Sequence, residues 1–166
     1  PRLYLAWRSV PQYHADDAAL NVARMVLSGA RNARLTNALI YDQEVAKDVF
    51  ANNDSKKLDG DFGITATARP GVTLNVLKGA IDKEIRRLAT DGPTARELEQ
   101  ARNAIEAGFL NRLEFVNAKA EQLNEYYYFT GTPDYFQRDL DRHRAVTADD
   151  IKRVVARYLI APRVML

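Results

Sequence analysis

The chain has two histidines, His14 and His143, and the first question is whether they could hold a metal ion. The zinc motif H-E-x-x-H and its inverted form H-x-x-E-H place two imidazoles one helical turn apart. Neither histidine stands in such a motif, and the two are far apart in the sequence. We therefore interpret both as exposed histidines of loops or helix ends, and predict no metal ligand in this chain.

The sequence also lacks the usual arrangements for nucleophilic catalysis and phosphate binding. Serine occurs only as Ser9, Ser28 and Ser55, none of them within G-x-S-x-G, and there is no cysteine. No P-loop and no G-x-G-x-x-G after a strand is present. We predict no catalytic residue.

Two carboxylate pairs and one aromatic cluster remain as candidates. Asp16–Asp17 and Asp149–Asp150 both stand at predicted helix starts, where the helix dipole favours negative charge without any catalytic role. The cluster Tyr126–Phe129 lies on a predicted helix, and its consecutive side chains point in different directions around the helix axis. We favour a mixture of core and interface positions over a platform for stacking bases.

The composition is that of an ordinary soluble domain. The chain has 166 residues, 46% hydrophobic and 28% charged, which suits one domain over residues 1–166. The 24 basic and 22 acidic residues are scattered and leave a net charge of +2, which argues against nucleic acid as a partner. No apolar run is long enough for membrane insertion. Because both ends fall within strand-like segments, we expect a fragment of a longer chain.

Strands are predicted in the first half and at the end of the chain. Residues 2–10 alternate, with Leu3, Leu5 and Trp7 on one face. Residues 45–51 predict a strand with Val45, Lys47 and Val49 on one face, followed by a polar loop over residues 52–60. Residues 62–68 would return antiparallel to it.

Helices are predicted between and after these strands. An apolar stripe runs over residues 74–88, and Thr94 with Glu97 forms a capping-box pattern for the next helix. Thr147 and Asp150 begin the last helix. Because strands and helices segregate, the sequence predicts an α+β fold, with a mainly antiparallel sheet and several helices packed on one face.

Four segments, taken in order, resemble the M16 family of insulinase, pitrilysin and processing peptidases. They are D-x-x-A-L-x-V-A-x-x-x-L-S-G from Asp16, A-R-L-x-x-x-L-x-x-x-x-x-V-A from Ala33, G-x-F-x-I-T-A-T-A-R-P-G from Gly60 and G-P-T-x-x-E-L-E-Q-A-R-N from Gly92. The chain is most similar to the C-terminal, non-catalytic domain of bacterial zinc proteases. The resemblance covers nearly the whole chain.

The resemblance implies a fold, a partner and a cofactor. Such proteases pair two α+β halves of the LuxS/MPP-like metallohydrolase fold as a clamshell around a chamber. One half carries H-x-x-E-H and binds zinc, and the other completes the enclosure of a peptide substrate. This chain lacks that motif, so zinc is expected in a catalytic partner half, on the same chain or a separate subunit, and no cofactor here. The family resemblance suggests the bacterial periplasm or cell envelope as the compartment.

Inactive halves of this family also carry a substrate-contacting Arg and Tyr in L-R-x-x-x-x-x-x-Y. Aligned on Leu39, this chain has Ile40 in place of the Arg and Lys47 in place of the Tyr. The Arg and Tyr contacts therefore do not carry over. Ile40 and Lys47 remain the candidate substrate-contact residues, and Lys47 lies on a predicted strand where a peptide could add to the sheet edge.

Two other functions stay open at this point. The first is an inert scaffold or interaction module of M16 fold without a protease partner. The second is a split β-α-β-β-α-β domain for nucleic acid or a small ligand, which fits the first 90 or so residues but leaves the later helices unexplained.

Overall fold

A four-stranded antiparallel sheet is the centre of the molecule. The computed structural model describes residues 1–30 and 32–166. The strands are β1 (Arg2–Ser9), β2 (Ala46–Ser55), β3 (Gly60–Ala68) and β4 (Val164–Met165). Their order across the sheet is β2–β3–β1–β4, so β2 and β4 are the edges. The predicted antiparallel pairing of β2 with β3 is confirmed.

Seven α-helices complete the part of the chain that the structure describes. They are α1 (Asp17–Ser28), α2 (Arg34–Thr36), α3 (Leu74–Asp91), α4 (Ala95–Arg112), α5 (Val116–Thr130), α6 (Phe136–Arg144) and α7 (Ala148–Val154). Two of them continue as π-helical segments, Asn37–Asp42 after α2 and Val155–Leu159 after α7.

The helices cover one face of the sheet, as the apolar patterns predict. Leu3, Leu5 and Trp7 of β1 are buried, and so is the α3 stripe that faces them. Helices α1 and α3 and both π-helical segments contact the strands, while α4 and α6 pack on α1. The α+β prediction, with helices on one face of an antiparallel sheet, is therefore confirmed.

Local capping signals set several helix ends where the sequence predicts them. Thr94 and Glu97 form a capping box at the start of α4, and Thr147 with Asp150 forms another at the start of α7. A further helix end, beyond these two starts, is that of α5, where Gly131 adopts the left-handed conformation with φ of 77°.

Strand β2 differs from its prediction in length and in register. Pairing with β3 continues to Ser55, so the connecting loop is only Lys56–Asp59. The register shifts between Ala46 and Asp48, which makes Lys47 the extra residue of a β-bulge. Ala46 and Val49 therefore face the core while Lys47 is exposed, and the prediction that Val45, Lys47 and Val49 share one face is wrong.

No described helix combines the length and hydropathy needed to cross a lipid bilayer.

Candidate functional site

The candidate site is the face of the sheet that the helices leave open. Side chains alternate across a strand, so the residues of β1 between the buried ones point away from the helices. Tyr4 is the largest of them and is 46% exposed. On β2, Phe50 occupies the same open face and is 62% exposed. We call this surface the open face.

The strand register arranges the open face into four rows that run across the strands. We name each row by its β1 residue. The Arg2 row is Asp48, Thr67 and Arg2; the Tyr4 row is Phe50, Thr65, Tyr4 and Leu166; the Ala6 row is Asn52, Gly63, Ala6 and Val164; the Arg8 row is Asp54, Asp61 and Arg8. The two central rows contain no charged side chain, and the two outer rows are charged.

The Tyr4 row forms a ridge of exposed apolar surface. Tyr4 and Leu166 exchange two backbone hydrogen bonds of 2.9 and 3.0 Å, which places the two side chains next to each other. Leu166 is 79% exposed. Together with Phe50 on the far strand, these side chains give apolar surface on both sides of Thr65.

The Ala6 row is a shallow trough beside this ridge. Its centre consists of Gly63 and Ala6, whose side chains rise little or not at all above the sheet. The carboxamide of Asn52 lies over Gly63, since a Cβ atom added there would be 2.4 Å from Asn52 Oδ1. The trough therefore offers one exposed amide group and otherwise little relief.

The outer rows hold their charges in local pairs. In the Arg2 row, Thr67 Oγ1 accepts from Arg2 Nε at 2.9 Å and donates to Asp48 Oδ1 at 2.9 Å. In the Arg8 row, Arg8 binds Asp59 of the adjoining loop, and this hydrogen bond lowers the pKa of the Asp59 carboxyl. The apolar centre of the open face is thus bordered by ionic side chains.

The predicted contact residues Ile40 and Lys47 lie at one end of strand β2. Ile40 belongs to the π-helical segment and is half-buried against the core, while Lys47 is exposed at the bulge of the edge strand. Arg69 holds the connection between them: it donates to the carbonyl of Ile40 at 3.2 Å and to that of Ala46 at 3.2 Å. The structure thus places Ile40 in the helical layer and Lys47 at the exposed start of edge strand β2.

The edge beside Lys47 is only partly free to pair with another strand. The backbone N–H of Ala51 donates to Ser28 Oγ of α1 at 2.6 Å. Helix α1 therefore occupies one of the edge hydrogen-bonding positions of β2, and the segment nearer Lys47 is the more accessible one.

The histidines do not come together. His14 is exposed, as predicted, but the prediction that His143 is exposed is wrong, because its ring is buried within α6 beside Phe109. Among residues 1–30 and 32–166, no group of three or more His, Cys, Asp or Glu residues could hold a metal ion.

The paired carboxylates at the start of α1 do more than complement the helix dipole. Asp17 is fully buried and accepts from Arg142 of α6 at 2.7 Å, and also from Ser55 at 2.8 Å. Asp16 accepts from Arg153 and from Tyr158, each at 2.7 Å. Burial alone would raise the pKa of Asp16, but these two hydrogen bonds outweigh it and lower the pKa. These contacts join α1 to elements more than a hundred residues away.

The aromatic cluster on α5 divides as the sequence predicts. Tyr126 is buried, and its hydroxyl donates to Asp139 Oδ2 at 3.0 Å. Tyr127 and Tyr128 are exposed. One face of α5 thus belongs to the core, and the other is available surface.

Sequence reasoning missed the open face because its rows depend on register. The alternation in β1 identifies Tyr4 and Ala6 as outward-facing, but nothing local places Phe50 or Leu166 in the same row as Tyr4. The buried contacts of Asp17 were missed for a related reason, since its partner Arg142 is 125 residues away.

The model of the peptidase M16 inactive domain matches residues 1–105. Among solved structures, a protease from Helicobacter pylori is similar, with a TM-score of 0.86 and 20% identity over 95% of this chain and 38% of that one. A candidate zinc protease from Bordetella pertussis is similar with a TM-score of 0.83 and 23% identity, over 99% of this chain and 92% of that one. The inactive peptidase domain of a candidate zinc protease from Bordetella parapertussis has a TM-score of 0.85 and 22% identity, over 99% of this chain and 88% of that one.

These comparisons differ in what they establish. The solved structures share the fold, and the chain spans well under half of the Helicobacter pylori protease. No curated protein matches the sequence. The family match covers more than half of the chain and confirms the resemblance carried by its four segments. The chain therefore belongs to the peptidase M16 inactive domain family.

Proposed function

We propose that this domain is the non-catalytic half of an M16-type zinc metallopeptidase, residues 1–166 forming one such unit. It packs against a zinc-bearing half, and its open face forms a wall along the enclosed peptide substrate. Zinc and the water it activates belong to the partner half, on the same chain or a separate subunit. The domain holds an extended peptide close to that metal, which favours reaction through positioning.

The single observation that carries this proposal is the apolar centre of the open face. An antiparallel sheet with one face in water usually presents polar residues on it. Here Phe50, Tyr4 and Leu166 are exposed in one row, with small residues in the next. Exposed apolar surface rimmed by charged groups is typical of a binding surface. It suits an extended peptide with apolar side chains rather than a nucleic acid.

Ile40 and Lys47 enter this proposal as contacts at the margin of that surface. The Lys47 ammonium is exposed at the bulge, where it can meet an acidic group of the peptide, and the adjoining part of the β2 edge can pair with peptide backbone. Ile40 is half-buried, so it offers only a small apolar contact.

The test compares two exposed phenylalanines in the full-length protease. Phe50→Ala removes part of the Tyr4 row, while Phe115→Ala removes a similarly exposed ring on the connection between α4 and α5. We expect Phe50→Ala to raise KM for an unfolded peptide about fivefold, because roughly 1 kcal/mol of apolar burial is lost. Phe115→Ala should leave KM unchanged. Equal KM values for both variants would overturn the role of the open face.

Zinc content tests the division of labour between the two halves. The full-length protein should hold zinc in the same amount when His14 is replaced by Gln, because the ligands lie outside this domain. Loss of zinc in His14→Gln would contradict the proposal. A full-length protein that holds no zinc and associates with no zinc-bearing half would instead favour the alternative function, an inert scaffold of M16 fold.

A further inference from the structure

A pocket of about 370 Å³ lies among the helices on the covered side of the sheet, between α1, α4, α5 and α6. Two of these helices, α4 and α5, bury few of their own side chains. Within the described part of the chain, Ala101 is the one buried residue of α4, and Gln122 and Tyr126 are the two buried residues of α5. The volume is within the range of small-molecule sites.

One side of this pocket presents unused hydrogen-bond donors. Arg24 of α1 is half-buried, and burial lowers the pKa of its guanidinium. Among the described residues, that group forms no ion pair and no hydrogen bond, and burial is the only cause of its lowered pKa. Gln122 is 93% buried, and its Oε1 accepts from Arg112 at 3.0 Å. Its amide nitrogen has no acceptor within the described chain.

The same pocket also presents hydrogen-bond acceptors. His143 is 95% buried, and its Nδ1 lies 2.8 Å from the carbonyl oxygen of Asp139. Burial, and then the charge of Arg142, lowers the pKa of His143, so the ring is neutral at pH 7 with its proton on Nδ1. Nε2 is therefore an acceptor, without a partner in the described residues. Glu125 also lines the pocket, with only long hydrogen bonds of 3.4 and 3.5 Å to other side chains.

One arginine of the pocket, Arg142, is already paired within the protein. Arg142 is held between Asp139 and the buried Asp17 and has no spare charge to offer. The remaining charged side chains are the cations Arg24 and Arg112 and the anion Glu125. Phosphate or another purely anionic ligand would meet Glu125 as a repulsive neighbour. A ligand with separated positive and negative groups meets complementary partners for both.

We propose that this pocket binds a zwitterion of the size of a free α-amino acid or dipeptide. Its carboxylate accepts from Arg24, the Gln122 amide and Arg112, and its ammonium group donates to Glu125 and to His143 Nε2. This site is separate from the open face, and the proposal does not depend on the proposed function.

The experiment titrates the full-length protein with free L-amino acids and dipeptides by calorimetry, alongside their methyl esters and N-acetyl derivatives. The parent compound should bind, and both derivatives should bind at least about tenfold more weakly, because each lacks one charged group. No binding by any free amino acid or dipeptide, or equal binding by the derivatives, would overturn the proposal.

Two variants locate the binding. Arg24→Met keeps the apolar stem and removes the unpaired guanidinium, so affinity should fall about tenfold or more while the melting temperature holds or rises. Arg138→Met, on the exposed side of α6, is the matched control and should bind as the wild type. Arg112→Met provides a second test from an exposed position, with the same expected direction. Wild-type affinity in both Arg24→Met and Arg112→Met would rule out this pocket as the site.

Discussion

The two faces of the sheet are made from the same strands and serve opposite purposes. On the covered face, Phe62 is fully buried and meets Trp7 edge to face at 6.5 Å between ring centroids. On the open face, Phe50 of the neighbouring strand β2 projects into solvent. The difference teaches that one residue type, in one sheet, can either determine stability or supply contact surface. The role of the residue depends on the face of the sheet that its side chain occupies, which alternation along the strand and the pairing register decide.

The largest expected contrast is between the two phenylalanines. Phe62→Ala should cost about 4 kcal/mol of unfolding free energy, because it removes a fully packed ring and leaves a cavity. Phe50→Ala should change the unfolding free energy by less than about 1 kcal/mol. Urea denaturation of both variants measures this, and similar losses would show that the open face is packed against something.

The next contrast is between two arginine–carboxylate pairs. Asp17→Asn weakens a buried pair with Arg142 and should destabilise the protein by about 3 kcal/mol. Asp59→Asn, which loosens the exposed pair with Arg8 beside the open face, should leave the denaturation midpoint unchanged. The comparison would fail if Asp59→Asn shifted the midpoint as far as Asp17→Asn.

Two glycines of β3 should respond in opposite directions. A Cβ atom at Gly60 would lie 2.5 Å from the carbonyl oxygen of Val10, a backbone atom, so Gly60→Ala should destabilise by about 2 kcal/mol. At Gly63 the obstacle is the end of the Asn52 side chain, which can swing away on the open face. Gly63→Ala should therefore stabilise by about 0.5 kcal/mol, through the unfolded chain. Thermal denaturation of the two variants decides it.

The smallest expected effect is a pH dependence of stability, which arises from His143 among the helices on the covered side of the sheet. The pKa of His143 is lowered by burial and by Arg142, so the unfolded chain takes up its proton first as the pH falls below the ordinary value of 6.5. Stability is thus retained above that pH and lost below it, at no more than about 1.4 kcal/mol per pH unit. His143→Gln should remove this slope and His14→Gln should keep it. Parallel pH profiles for all three proteins would contradict the assignment.

Much of the fold follows from local signals. The alternation of Leu3, Leu5 and Trp7, the α3 stripe and the capping boxes at Thr94 and Thr147 each involve residues close in sequence. Their physics acts over one turn of helix or a few residues of strand. Predictions that rest on them are accordingly confirmed.

The predictions that are wrong each concern a residue whose position depends on a partner distant in sequence. Residues 52–55 look like a polar loop, yet Asn53 and Ser55 bond to the buried Asp17, which holds them in β2. The bulge at Lys47 is a matter of register with β3, and His143 is buried by helices that no local pattern brings together. The substrate roles of Ile40 and Lys47 stay predictions.

The four rows of the open face have a consequence for how such domains diverge. Because none of their central side chains supports the core, a lineage can replace Phe50, Tyr4 or Asn52 through successive single mutations without passing through an unfolded intermediate. Selection for a different binding partner therefore acts on one side of the sheet alone. We expect relatives to keep apolar residues at the inward positions of β1 and β3, while the residues at the outward positions differ from one relative to the next.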